Sequence, residues 1–181
     1  MPWNPKPFLY KGIWLLPVLL WTLLVFDLSQ QTFREQSIQP FLHKLVPKEE
    51  IHAYIPDVTV RYSRAVIDSQ SEPYRFVEFL FRKAAHLFVY AVLALFAYAA
   101  LYPYGMKRPR MFIISLLYVT AIALCDEWVQ SAAAMRTSAI QDVVLDTAGG
   151  IVGLGAAVWA VPWGSRFVRR RFSSRRWNGD L

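Results

Sequence analysis

The chain contains a single cysteine, Cys125. That excludes an internal disulfide, so any segment outside a membrane must hold together by packing and hydrogen bonding. No Gly-rich phosphate loop, CxxC pair or HExxH sequence occurs in the 181 residues. The usual sequence signs of a nucleotide cradle, a thiol site or a zinc hydrolase are therefore missing. Internal repeats and low-complexity stretches are also absent. Glycine does not occur between Leu28 and Phe81, although Pro40, Pro47, Pro56 and Pro73 do. Acids are scarce after Trp163, where Arg166, Arg169, Arg170, Arg171, Arg175 and Arg176 face only Asp180.

Charge is missing most conspicuously from four runs. Residues are 55% hydrophobic, only a little above an ordinary soluble domain, so their distribution decides the class. Gly12–Phe26 is uncharged until Asp27, and Ala84–Tyr102 holds one titratable group, His86. Met111–Cys125 continues as a helical pattern past Asp126 and Glu127, and Val143–Trp163 is broken only by Asp146. A membrane-crossing helix needs about 20 mostly apolar residues. The length allows one compact unit. The expectation is an all-α, integral membrane four-helix bundle with spans at about 12–28, 82–102, 111–130 and 142–163. Val25-Phe26-Asp27 offers no small-x-small cleavage pattern, so the first run reads as an uncleaved anchor.

Basic residues set the expected orientation. Lys6 and Lys11, then Lys107, Arg108 and Arg110, and finally the basic tail 164–181 fall on one side of a four-span topology. Cytoplasmic segments are enriched in Lys and Arg, so both termini are expected in the cytoplasm and 29–81 forms a long external loop. The tail has a sufficient cause in topology and anionic lipid, and nucleic acid is not expected as a partner. Within the loop, Ser37–Val46 places Ile38, Phe41, Leu42 and Leu45 at helical spacing, the pattern of a short amphipathic helix on the membrane surface or over the bundle mouth.

Polar residues inside the spans gather at one level. Asp27 ends the first span; Arg82, Lys83 and His86 enter the second; Asp126, Glu127 and Gln130 leave the third; Asp142 and Asp146 enter the fourth, just after Arg136. Spacings of three and four put Arg82, Lys83 and His86 on one helical face. Asp142 and Asp146 share a stripe with Gly149, Gly153 and Ala157, a small-residue seam that directs the acids toward a helix partner. A charge facing lipid would cost about 2.5–3.5 kcal/mol on insertion scales. Five acids against Arg82, Lys83 and Arg136 leave the cluster acid-rich, so it must hold a proton, bind a cation, or admit water and a ligand.

These motifs carry a family resemblance. Arg82-Lys83-Ala84-Ala85-His86-Leu87-Phe88-Val89-Tyr90 resembles the helix-two opening of the VanZ-like family. Asp126-Glu127-Trp128-Val129-Gln130 with Arg136 resembles its third-helix segment, Asp142 to Gly150 its fourth, and Leu28-Ser29-Gln30-Gln31 the end of its first. Asp146 departs from the family, which carries Asn there, and adds a negative charge. The family is named for a membrane protein associated with low-level resistance to the glycopeptide teicoplanin. The resemblance therefore implies a multi-pass protein of a Gram-positive cell membrane, acting in the cell envelope.

Several roles fit the cluster. Paired charges would fix helix register, since removing one partner of a buried pair costs about 3–5 kcal/mol. In a binding site, Arg82, Lys83 and Arg136 would take phosphate or carboxylate oxygens of a lipid head group, a lipid-linked wall precursor or a glycopeptide. Gln130, Asp142 and Asp146 would take amines or hydroxyls. In an enzyme, His86 would act with Asp126 or Glu127 as acid and base on an outer-leaflet lipid. A divalent cation on Asp126, Glu127, Asp142 and His86 has no recognised ligand spacing behind it, and neither a metal nor a cofactor is expected. Trp128 and Tyr90 read as interface anchors. No second half-site supports a transporter.

Overall fold

The computed structural model describes residues 11–32, 34–63, 65–132 and 140–173. Four of its helices are long and apolar enough to cross a membrane. A 3-10 turn, Ile13–Leu15, leads into α1, Leu16–Gln30, with Pro17 in its first turn. The segment after α1 carries structure of its own: α2 (Gln39–Leu45), α3 (Lys48–Tyr54) and an antiparallel hairpin of β1 (Thr59–Tyr62) and β2 (Ala65–Asp68). Then follow α4 (Pro73–Leu101), α5 (Arg108–Ala132) and α6 (Ile140–Ser173).

The fold is mostly helical, but the two-stranded hairpin departs from the all-α expectation. Val60 lies opposite Ile67 and Tyr62 opposite Ala65. These two pairs form the more buried face of the hairpin, with Arg61 and Val66 exposed on the other. The strands hand over to α4 through an Asp turn. Asp68 Oδ1 accepts the amides of Gln70 and Ser71, at 3.1 and 2.7 Å, and Pro73 fills the first helical position, where its missing N–H costs nothing. The helix therefore begins nine residues before the expected span at 82. At its far end, Gly105 adopts φ +70° and closes the turn before α5, a conformation that a Cβ would strain.

α4 makes its most extensive contact with α6. The two run parallel, Leu87 against Gly149 and Ala91 against Gly153. A Cβ on Gly149 would stand 2.5 Å from the Leu87 carbonyl oxygen, and one on Gly153 would overlap the Ala91 backbone. The glycines thus permit a backbone approach that no other residue allows, as the small-residue seam anticipated. α5 returns antiparallel, with Val119 on Gly150. α1 is pinned by Trp21 Nε1 donating to the Val89 carbonyl (2.9 Å) and by the Thr22–Tyr118 hydroxyl pair (2.7 Å). Tyr90, Leu93, Ala94, Tyr98, Val119, Leu154 and Ala157 form the centre of the core, each 1% exposed or less.

Of the apolar residues expected to seat α2, Ile38 and Leu42 are half-buried. Phe41 and Leu45 remain exposed, at 63% and 59%.

Candidate functional site

The C-terminal ends of α1 and α5 and the N-terminal parts of α4 and α6 meet at one end of the bundle, where the polar side chains collect. A cavity of about 340 Å³ lies there. Its walls come from α1 (Val25, Leu28, Ser29), from α4 (Phe81, Arg82, Ala85, His86, Val89, Tyr90) and from α5 (Asp126, Gln130). Gln36, Ile38 and Glu78 close it toward the segment after α1.

Helical spacing explains the α4 wall. Glu78, Arg82, His86 and Tyr90 recur every four residues and make one polar stripe; Phe81, Ala85 and Val89 make an apolar stripe beside it. Both stripes line the cavity.

Glu78 is 3% exposed. Its carboxylate accepts the Ile38 amide (3.0 Å) and Gln39 Nε2 (2.5 Å). Gln36 Nε2 donates to the Leu28 carbonyl at 2.6 Å. These bonds fasten residues 36–39 over the cavity as a roof. On α5, the buried Asp126 accepts Gln130 Nε2 at 2.9 Å, the i,i+4 pair expected from spacing. Glu127 is half-buried and within electrostatic reach of Tyr62 and Tyr90.

A second face of α4 meets α6. His86 Nδ1 donates to Asp146 Oδ1 at 3.0 Å, with Asp146 2% exposed. His86 also lines the cavity, whereas Asp146 does not. Three residues earlier on α4, Lys83 forms an ion pair with Asp142, which sits in the first turn of α6 where the helix dipole favours an acid. Tyr62 Oη donates to the same carboxylate oxygen at 2.7 Å, and the Lys83 ammonium lies 4.0 Å from the centre of the Tyr62 ring. Burial first, then this bond to Asp142, raises the Tyr62 phenol well above its ordinary value. The hairpin is thereby tied to the polar end of α6.

The expected convergence of Arg82, Lys83, His86, Asp126, Gln130, Asp142 and Asp146 is therefore present, but divided in two. Arg82, His86, Asp126 and Gln130 line the cavity; Lys83, Asp142 and Asp146 lie at the α4–α6 seam behind it. The acid hydrogen-bonded to His86 is Asp146. Asp27 is exposed and lines no part of the cavity, so it leaves the cluster. Tyr90 is no interface anchor: it is 1% exposed and sits beside Asp126. Trp128 is 74% exposed. Arg136 lies outside the described residues. Among the described residues, no group of three or more His, Cys, Asp and Glu side chains is placed to hold a metal ion.

Glu78 and Tyr62 join the site without having been expected. Glu78 had a signal, the four-residue stripe it shares with Arg82 and His86. Tyr62 had a weaker one, the alternation of Val60 and Tyr62 across a turn from Ala65 and Ile67.

No curated protein and no solved structure matches the chain. The family model described as VanZ/LLP1 matches residues 14–161, a range that contains the four candidate spans almost entirely and every side chain of the polar end; this multi-pass membrane protein belongs to the VanZ/LLP1 family.

Proposed function

We propose that the cavity binds the anionic head group of an amphiphile at the outer face of the cell membrane, and that this contributes to glycopeptide tolerance of the teicoplanin type. A lipid, a lipid-linked wall precursor and a glycopeptide all supply such a group. The basic residues at the N-terminus, between α4 and α5 and after α6 support cytoplasmic termini and an outward polar end. The observation that carries the reading is that Arg82 and His86 line one cavity beside the apolar stripe of Phe81, Ala85 and Val89. Its two acids already accept protein donors, Glu78 from Ile38 and Gln39, Asp126 from Gln130. A guanidinium suits bidentate contact with phosphate or carboxylate, and a half-enclosed setting strengthens it.

The His86–Asp146 pair favours a second reading, an enzyme acting on the same head group. A carboxylate on Nδ1 fixes the tautomer with a basic Nε2, the form that takes a proton from a hydroxyl or water.

Cells expressing the chain separate the two readings. Binding predicts that Arg82→Gln lowers teicoplanin tolerance at normal protein abundance while lipid mass spectra stay the same with or without the protein. Catalysis predicts an altered head group in those spectra, lost in Asp146→Leu. Tolerance that ignores Arg82→Gln and His86→Gln alike would contradict both.

A further inference from the structure

The shape of the cavity bears on where its ligand comes from. Its roof is shut by Gln36 on the Leu28 carbonyl and by Ile38 and Gln39 on Glu78. Toward the middle of the bundle α1 and α4 are joined, where Trp21 bonds the carbonyl of the lining residue Val89 and stacks edge-on against Phe96, ring centres 5.6 Å apart. Between the roof and this joint, α1 and α4 both line the cavity, and two of the α4 residues there, Phe81 and Ala85, are exposed, Phe81 at 64%. The cavity therefore opens sideways.

Depth decides what lies outside that opening. α4 ends at Leu101. At 1.5 Å per residue, Ala85 is about 24 Å and Phe81 about 30 Å along the helix from that end. The hydrocarbon core is about 30 Å thick, so the opening faces the upper acyl region of one leaflet, not water. Inside, the polar stripe Arg82–His86 runs beside the apolar stripe Phe81–Ala85–Val89. A molecule whose charged head adjoins its own chain fits both at once.

We propose that the ligand is a membrane-resident, anionic acyl-chain lipid that enters between α1 and α4, its head group on Arg82 and His86 and its first methylenes along Phe81, Ala85 and Val89. This rests on the head-group reading above and narrows it. A volume of about 340 Å³ is at the low end for ligand pockets; it takes a head group and the start of a chain, not a whole glycopeptide.

Titration of the purified full chain in dodecyl maltoside, read by native mass spectrometry, tests the route. The probes are phosphatidylglycerol and its water-soluble head-group analogue, glycerol 3-phosphate. Phosphatidylglycerol is expected to bind at least a hundredfold more tightly. Ala85→Trp, on an exposed site that tolerates bulk, is expected to weaken lipid binding at least tenfold with unchanged melting; Ala85→Leu gives a smaller loss if the tryptophan variant fails to accumulate. Equal affinity for the two probes, or lipid binding indifferent to both Ala85 variants, overturns sideways entry while Arg82→Gln still weakens binding. If Arg82→Gln changes neither probe, the head-group reading falls as well.

Discussion

Gly153 and Gly155 sit two positions apart on α6 and answer to opposite constraints. A side chain at Gly153 would overlap the Ala91 backbone, whereas nothing lies within 4 Å of a Cβ at Gly155. Gly153→Ala must push α4 and α6 apart and is expected to cost about 1–3 kcal/mol, as overpacking does. Gly155→Ala should be neutral or stabilise by up to about 1 kcal/mol through helix propensity. Thermal melting of the two variants in detergent checks this, and equal melting points would contradict the seam. The seam sets the register of α4 on α6, and register in turn brings Lys83 to Asp142 and His86 to Asp146. A steric requirement farther along the two helices therefore fixes the polar contacts one and two turns away. His86 depends on it most, because the same side chain bonds Asp146 and lines the cavity.

The hairpin and the roof show how elements outside the spans complete the site. Asp68 holds the turn from β2 into α4. Its bonds from Ser71, Thr59 and Gln70 lower its pKa below the ordinary carboxylate value. A depressed folded value means the stabilisation is present above the unfolded value near 3.9 and is lost as pH falls through the folded one. Pepsin cleavage between residues 59 and 72 is therefore expected to be slow at pH 4 and to rise toward pH 2. Asp68→Ala should be cut readily at both. Uniform cleavage of the parent chain across that range would show that the turn does not depend on this carboxylate. The long helices and the polar level were legible in the sequence because a charge within an apolar run is expensive and must point inward. The roof was not. Glu78 stands among Glu72, Arg75 and Arg82, before the apolar run, and looks like a surface acid. Its burial depends on Ile38 and Gln39, 40 and 39 positions away in the sequence, folding back onto it. Tyr62 and Asp142 are 80 positions apart, and no local periodicity reports such a pairing.

At the scale of the molecule, a bundle that packs its core tightly midway along its helices has a cavity at one end, where α1, α4 and α5 line it and a folded segment covers it. Two adjacent cations on α4 face different ways in this arrangement. Arg82 lines the cavity; Lys83 turns to Asp142 and the Tyr62 ring. A solvated basic surface would make the two interchangeable, whereas a chamber distinguishes them. The direct measurement is phosphatidylglycerol affinity of the folded full chain, comparing Arg82→Gln with Lys83→Gln. The lysine change is made together with Asp142→Asn, so that no buried charge is left alone. At least a tenfold loss from the arginine change and less than twofold from the lysine pair is the predicted result. Equal losses from the two, or none from either, would contradict a ligand chamber built around Arg82 and His86.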